Sequence, residues 1–191
     1  MLATALSEAR RFADELEEFE RELQVILPYA ESRWPDYPRH FPYTSYGFVM
    51  VAFSKIDLYG QYWFPANSSQ HGRMSSFLTE YLGYPKKESD IAIHLWRHNL
   101  MHSSEMRPLQ DTRDKKTYRW LFHYKLGDEH MCIQEGQNQQ VVSLGLLDLV
   151  EDLREGLKRA IAELPQLVNV VENWPATTAK LGKFPRNLRR T

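Results

Sequence analysis

Residues 89–105 read SDIAIHLWRHNLMHSSE. Ile91, Leu95 and Leu100 make a helical apolar stripe, which Ile93, Trp96 and Met101 widen. A helix this apolar belongs in a core, so the chain around it is expected to be a helical bundle. The same helix carries Arg97 and three histidines, His94, His98 and His102, four residues apart and therefore on one face. Charge is costly to bury unless it is paired or used, so this face needs an explanation.

Outward from that helix, both flanks support a bundle. Residues 4–27 are amphipathic, with Leu6, Phe12, Leu16, Phe19, Leu23 and Ile26 recurring at three- and four-residue steps. Eight acids against three bases in the first 31 residues give the other side a solvated, acidic face. Pro35, Pro38 and Pro42 mark an extended connection. Ser45 is placed to cap a second helix that Pro65 ends. That helix is apolar almost all round, which predicts a central position. Gly60 allows a close crossing, and the lone acid Asp57 needs a partner. A shorter helix over 72–82 stops at Gly83, and Ser89 is placed to cap the histidine helix.

Past residue 106 the period changes. A polar loop covers 107–117. Tyr118, Trp120, Phe122 and Tyr124 then alternate with Arg119, Leu121, His123 and Lys125, which predicts a strand. Two further short strands, 130–135 and 140–144, follow at turns, so 118–144 is expected to be a three-stranded antiparallel meander. A long helix over 145–164 follows, which Pro165 interrupts, and 167–174 continue it. Residues 176–191 hold five bases and no acid, and are expected to form a basic tail. The fold class is therefore mainly α. It is a bundle of about five helices in a single domain over 1–175, with a small sheet inserted before the last long helix.

Composition narrows the function classes. A net charge of −1 gives no global attraction to nucleic acid or anionic membrane, so any such site is local. Cys132 is the only cysteine, which excludes an intramolecular disulfide and a cysteine-rich zinc site. No apolar run is long enough for a signal peptide or a membrane span, so a cytoplasmic protein is expected, with no membrane partner. There is no phosphate-binding glycine loop, dinucleotide fingerprint or nucleophile elbow.

What remains is the string Arg97-His98-Asn99-Leu100-Met101-His102. An arginine, a polar residue and a histidine after four intervening positions, near a helix end, resembles the motif of the HEPN superfamily. These are helical-bundle domains of toxins, defence systems and RNA-processing proteins. The resemblance covers roughly residues 45–165. It implies a homodimeric, metal-independent ribonuclease that needs no cofactor. In it His102 would be the proton shuttle, Arg97 the phosphate clamp and His98 an orienting group. Asn99 follows within the motif. The competing structural reading pairs Arg97 with Asp57 or Glu105 and has His102 cap a helix end. RNA and a protein partner such as an antitoxin are the implied partners. The sequence departs from the family in two ways. Ser104 stands where antitoxin-paired members often carry a tyrosine, and a minimal bundle has no sheet. Members that have lost activity act as binding modules, which is the alternative reading.

A third reading uses the same face for a metal. His94, His98 and His102 are spaced for a divalent ion, but the outer two lie about 12 Å apart along a straight helix. One pair would need His71, Asp57 or Glu105 to complete a site. His40, His123 and His130 show no partner in the sequence. The aromatic strand 118–125 can stack on bases beside positive charge, although packing against the bundle is the simpler use of its rings. Lys86, Lys87, the 107–116 loop and the tail are the available sources of a basic patch.

Overall fold

The computed structural model describes residues 1–31, 43–67, 69–101, 107–135 and 139–181, without the side chains at 27–31, 43–45, 98 and 99. Among these residues the chain forms six α-helices, with a four-stranded sheet between the fourth and fifth. The fold is mainly α with an inserted sheet, as the periodicities predict.

Helix α1 (Leu2–Glu31) turns Ala5, Ala9, Phe12, Leu16, Phe19 and Leu23 into the core. Among the described side chains its acidic face is solvated apart from Glu8, which is half-buried, and Glu20. Glu20 is 8% exposed and takes both its hydrogen bonds from Arg154 Nη1, at 2.8 Å each. Helix α2 (Tyr43–Trp63) is the central element; Phe53, Ile56 and Tyr59 are fully buried on it. It starts two residues before Ser45, which therefore lies inside the helix rather than capping it. The close crossing at Gly60 is present: a Cβ there would sit 2.9 Å from the Arg73 carbonyl on the next helix.

Helix α3 (Gln70–Glu80) begins two residues earlier than Gly72. Ser69 is the cap, its hydroxyl accepting the Gly72 N–H at 2.9 Å. Gly83, at φ +77°, turns the chain out of this region. Helix α4 (Lys86–Leu95) starts directly after Pro85, so Ser89 is not a cap; it is fully buried one turn inside. The chain then winds as a π turn, Trp96–Met101, instead of continuing the α-helix expected through residue 105. Across this turn Trp96 and Leu100 are buried while Arg97 and Met101 face solvent.

The sheet corrects the predicted meander. Strand β1 (Leu109–Gln110) lies in the stretch read as loop and pairs antiparallel with β2 (Thr117–His123). Strand β4 (Gln140–Gly145) pairs parallel with β2 and antiparallel with β3 (Cys132–Glu135). The order is β1-β2-β4-β3, four strands in a mixed sheet. The physical signal is β4 itself. Val141 to Leu144 is buried without alternation, as suits an inner strand rather than the end of a meander. Strand β2 alternates as predicted, burying Tyr118, Trp120 and Phe122. Trp120 meets Phe53 edge-on at 5.9 Å, and Phe122 meets Tyr46 at 5.8 Å, so the sheet is fastened to α2.

Helix α5 (Leu146–Glu163) leads through a short 3-10 turn at Pro165 into α6 (Val168–Leu181). Helix α6 runs six residues past the predicted boundary at 175, so the first part of the supposed tail is helical. Trp174, 1% exposed, packs between Tyr62, Trp63 and Phe12 and donates its indole N–H to Glu8 at 2.8 Å. Thr178 donates to the same carboxylate at 3.0 Å. Residues 182–191 lie outside the described residues. Among the described residues no helix is long and apolar enough to cross a membrane.

Candidate functional site

The site is built where α2, α3, α4 and the π turn meet. Arg97 projects from the π turn and is exposed. Trp96, stacked on Phe53 at 5.8 Å, anchors the turn that presents it. Single π turns inside helices are frequent at functional sites, and this one coincides with Arg97, His98 and Asn99.

Asp57 faces Arg97 from α2. Burial raises its carboxyl above the usual range; a hydrogen bond from Gln70, the charges of Arg73 and Arg97 and a hydrogen bond from Gln61 oppose that rise. The Gln70 amide donates to Asp57 Oδ2 at 2.7 Å, while Oδ1 is buried with no hydrogen-bond partner among the described residues. Arg97 thus acts on Asp57 through space, with no ion pair between the two. Asp57 is held by neutral amides, not by the arginine expected from the sequence.

Beside this lies a second polar group. His71 Nε2 and Asp90 Oδ1 are 2.9 Å apart, and Asp90 also accepts from Ser75 at 2.7 Å and Lys86 at 3.0 Å. Burial pushes the Asp90 carboxyl up, but the hydrogen bonds from Ser75, Lys86 and His71 outweigh it and hold the group below its ordinary range. The His71 ring lies 4.7 Å from that of His94, which is exposed. Asp90 was missed in the sequence, although it stands one helical turn before His94 and one after Lys86. Gln70 and Arg73 were missed because nothing local ties α3 to Asp57.

The metal reading gains His71 beside His94, but among the described residues no three His, Cys, Asp or Glu side chains gather to hold an ion. His102 and Glu105 lie outside the described residues, as do the side chains of His98 and Asn99. The structure therefore brings Arg97 near Asp57 and His94 near His71.

Two expectations away from the site change. His130 is a buried hub, not a partnerless surface residue. Its Nδ1 accepts the Gly145 N–H at 3.0 Å, so in the neutral ring the proton sits on Nε2, which donates to Tyr84 Oη at 2.8 Å. Tyr84 in turn donates to Asp152 at 2.8 Å. Burial lowers the His130 pKa to about 4, against a smaller opposing pull from Asp148. His123 is half-buried at the end of β2 and its pKa is lowered by burial; His40 lies outside the described residues. The rings of β2 are turned into the core, which leaves Arg119 exposed but no aromatic platform for bases on that strand.

Comparison with family models, curated proteins and solved structures yields no match.

Proposed function

We propose that this protein is a metal-independent endoribonuclease of the HEPN type, working in the cytoplasm as a homodimer. The observation that carries the reading is the state of Arg97: exposed, set on a π turn, and not consumed by an ion pair with Asp57. An arginine kept for structure would be expected to grip the buried carboxylate beside it. An arginine kept for a ligand faces outward with its guanidinium available to two phosphate oxygens.

On this reading the 2′-hydroxyl of the RNA attacks the adjacent phosphorus and a neutral His102 takes its proton. The bond to the 5′-oxygen breaks, and a histidine in its acid form returns a proton to that oxygen. The products are a 2′,3′-cyclic phosphate and a 5′-hydroxyl. Two copies of the motif in a dimer supply both protonation states, and Arg97 offsets charge developing on the phosphate. The setting that fits is a toxin or defence component held in check by a protein partner such as an antitoxin.

The test is cleavage of a labelled mixed-sequence RNA in excess EDTA, wild type beside His102→Ala. The expected result is cleavage by wild type and a loss of about 10²–10⁴-fold in the variant. Equal rates in the two would remove His102 from the chemistry. No cleavage by either would favour a binding module on the same bundle, and activity lost only in EDTA would favour the metal reading.

A further inference from the structure

We propose that the cleft between α2, α3 and α6 is a binding site for a phosphate group. The cleft holds about 200 Å³ and its lining includes Gln61, Arg73, Asn173, Thr177 and Lys180. Two of its lining residues are cations and none is a carboxylate. Each side chain comes from an element fixed elsewhere. Arg73 donates to the Asn67 carbonyl at 3.0 Å, which holds its guanidinium at the start of α3. Asn173 and Thr177 are oriented by hydrogen bonds to α6's own carbonyls, at 2.7 and 3.2 Å. Lys180 is brought over the cleft because α6 is docked on α1 through Trp174, Thr178 and Glu8.

Size and charge narrow the ligand. Pockets for drug-sized molecules start near 300 Å³. A space the size of this cleft suits a phosphate with its immediate substituent. Asp57 lies one turn before Gln61 on α2, takes hydrogen bonds from Gln70 and Gln61, and lowers the net field, but it is not itself part of the lining. An arginine from α3 and a lysine from α6, lining one cleft with amide side chains, are the groups that recognise a phosphate by charge and hydrogen bonding together.

The phosphate can belong to a free phosphate ester or to an RNA backbone, and the proposal does not depend on the nuclease reading. The experiment is a titration of the full chain with inorganic phosphate at constant ionic strength, followed by the amide resonances of Thr177 and Lys180. Lys180→Glu is the comparison, since the residue is exposed on a helix surface and its change leaves packing intact. Saturable shifts in wild type, weakened at least tenfold in the variant, are expected. A short single-stranded RNA is then added. Displacement of phosphate assigns the site to RNA backbone; phosphate that stays bound assigns it to a free ester. Shifts that do not saturate, or that persist unchanged in Lys180→Glu, would overturn the proposal. RNA cleavage that survives in Lys180→Glu leaves the nuclease reading standing whichever way the phosphate result falls.

Discussion

Burial holds His130 neutral, and this makes one imidazole a pH-dependent part of the fold. Its pKa is about 4 when folded, below the ordinary value of 6.5. Between those values the unfolded chain binds the extra proton, so stability falls as pH falls. The contribution is complete above pH 6.5 and is lost as pH drops toward 4. From pH 7.5 to 5 the expected loss is about 2 kcal/mol, read from urea midpoints at the two pH values. Asp152 has the opposite sign. Its carboxyl is raised, chiefly by burial, so protonation favours the folded state as pH falls through the folded pKa. His130→Asn retains that component and is expected to lose the His130 slope; an unchanged slope would count against the assignment. The role of His130 was hidden in the sequence because its partners are far along the chain. Tyr84 lies 46 residues away, and Asp152 belongs to another element. Gly60 was legible, because a glycine in an apolar helix has few other uses. Gly60→Ala is expected to cost about 1–3 kcal/mol through overpacking against Arg73's backbone, seen as a lower thermal midpoint.

At the scale of elements, α6 shows what periodicity can and cannot reveal. Val170 and Trp174 are buried at a four-residue step, which the sequence reading followed as far as residue 174. Beyond it the stripe ends, and α6 is held instead by polar contacts of Thr178 to Glu8 and Tyr62. Such contacts leave no periodic trace, so the helix was cut short. Trp174→Ala is expected to cost about 3–5 kcal/mol, because it opens a cavity among Phe12, Tyr62 and Trp63 and leaves Glu8 without its indole donor. Chemical denaturation measures it; a change within error would mean that α6 is not part of the cooperative unit. The π turn is the other unforeseen element. The apolar stripe of residues 91–101 reads equally well as α-helix, since Trp96 and Leu100 are compatible with either winding. The contact that anchors the turn, Trp96 on Phe53, is tertiary and comes from outside this stretch.

At the scale of the whole molecule, helix number and order were mostly legible because amphipathic periodicity is local. Sheet topology was not. The parallel pairing of β2 with β4 depends on which strand finds which, and three short strands at tight turns favour a meander unless Val141 to Leu144 is taken as a fully buried inner strand. The candidate site was legible in part. Arg97 and Asp57 were singled out and stand near each other, while Gln70, Arg73 and Asp90 joined them only through the packing of α3 against α2 and α4. The account's central claim is that Arg97 faces outward to serve RNA rather than the bundle. The most direct measurement is single-turnover cleavage of an end-labelled RNA in excess EDTA by wild type and Arg97→Ala, with the product ends identified. The expected result is 2′,3′-cyclic phosphate ends from wild type, a rate lowered by about 10²-fold or more in the variant, and the same thermal midpoint for both. Unchanged cleavage in Arg97→Ala, or a variant that unfolds, would contradict the claim by returning Arg97 to the structure.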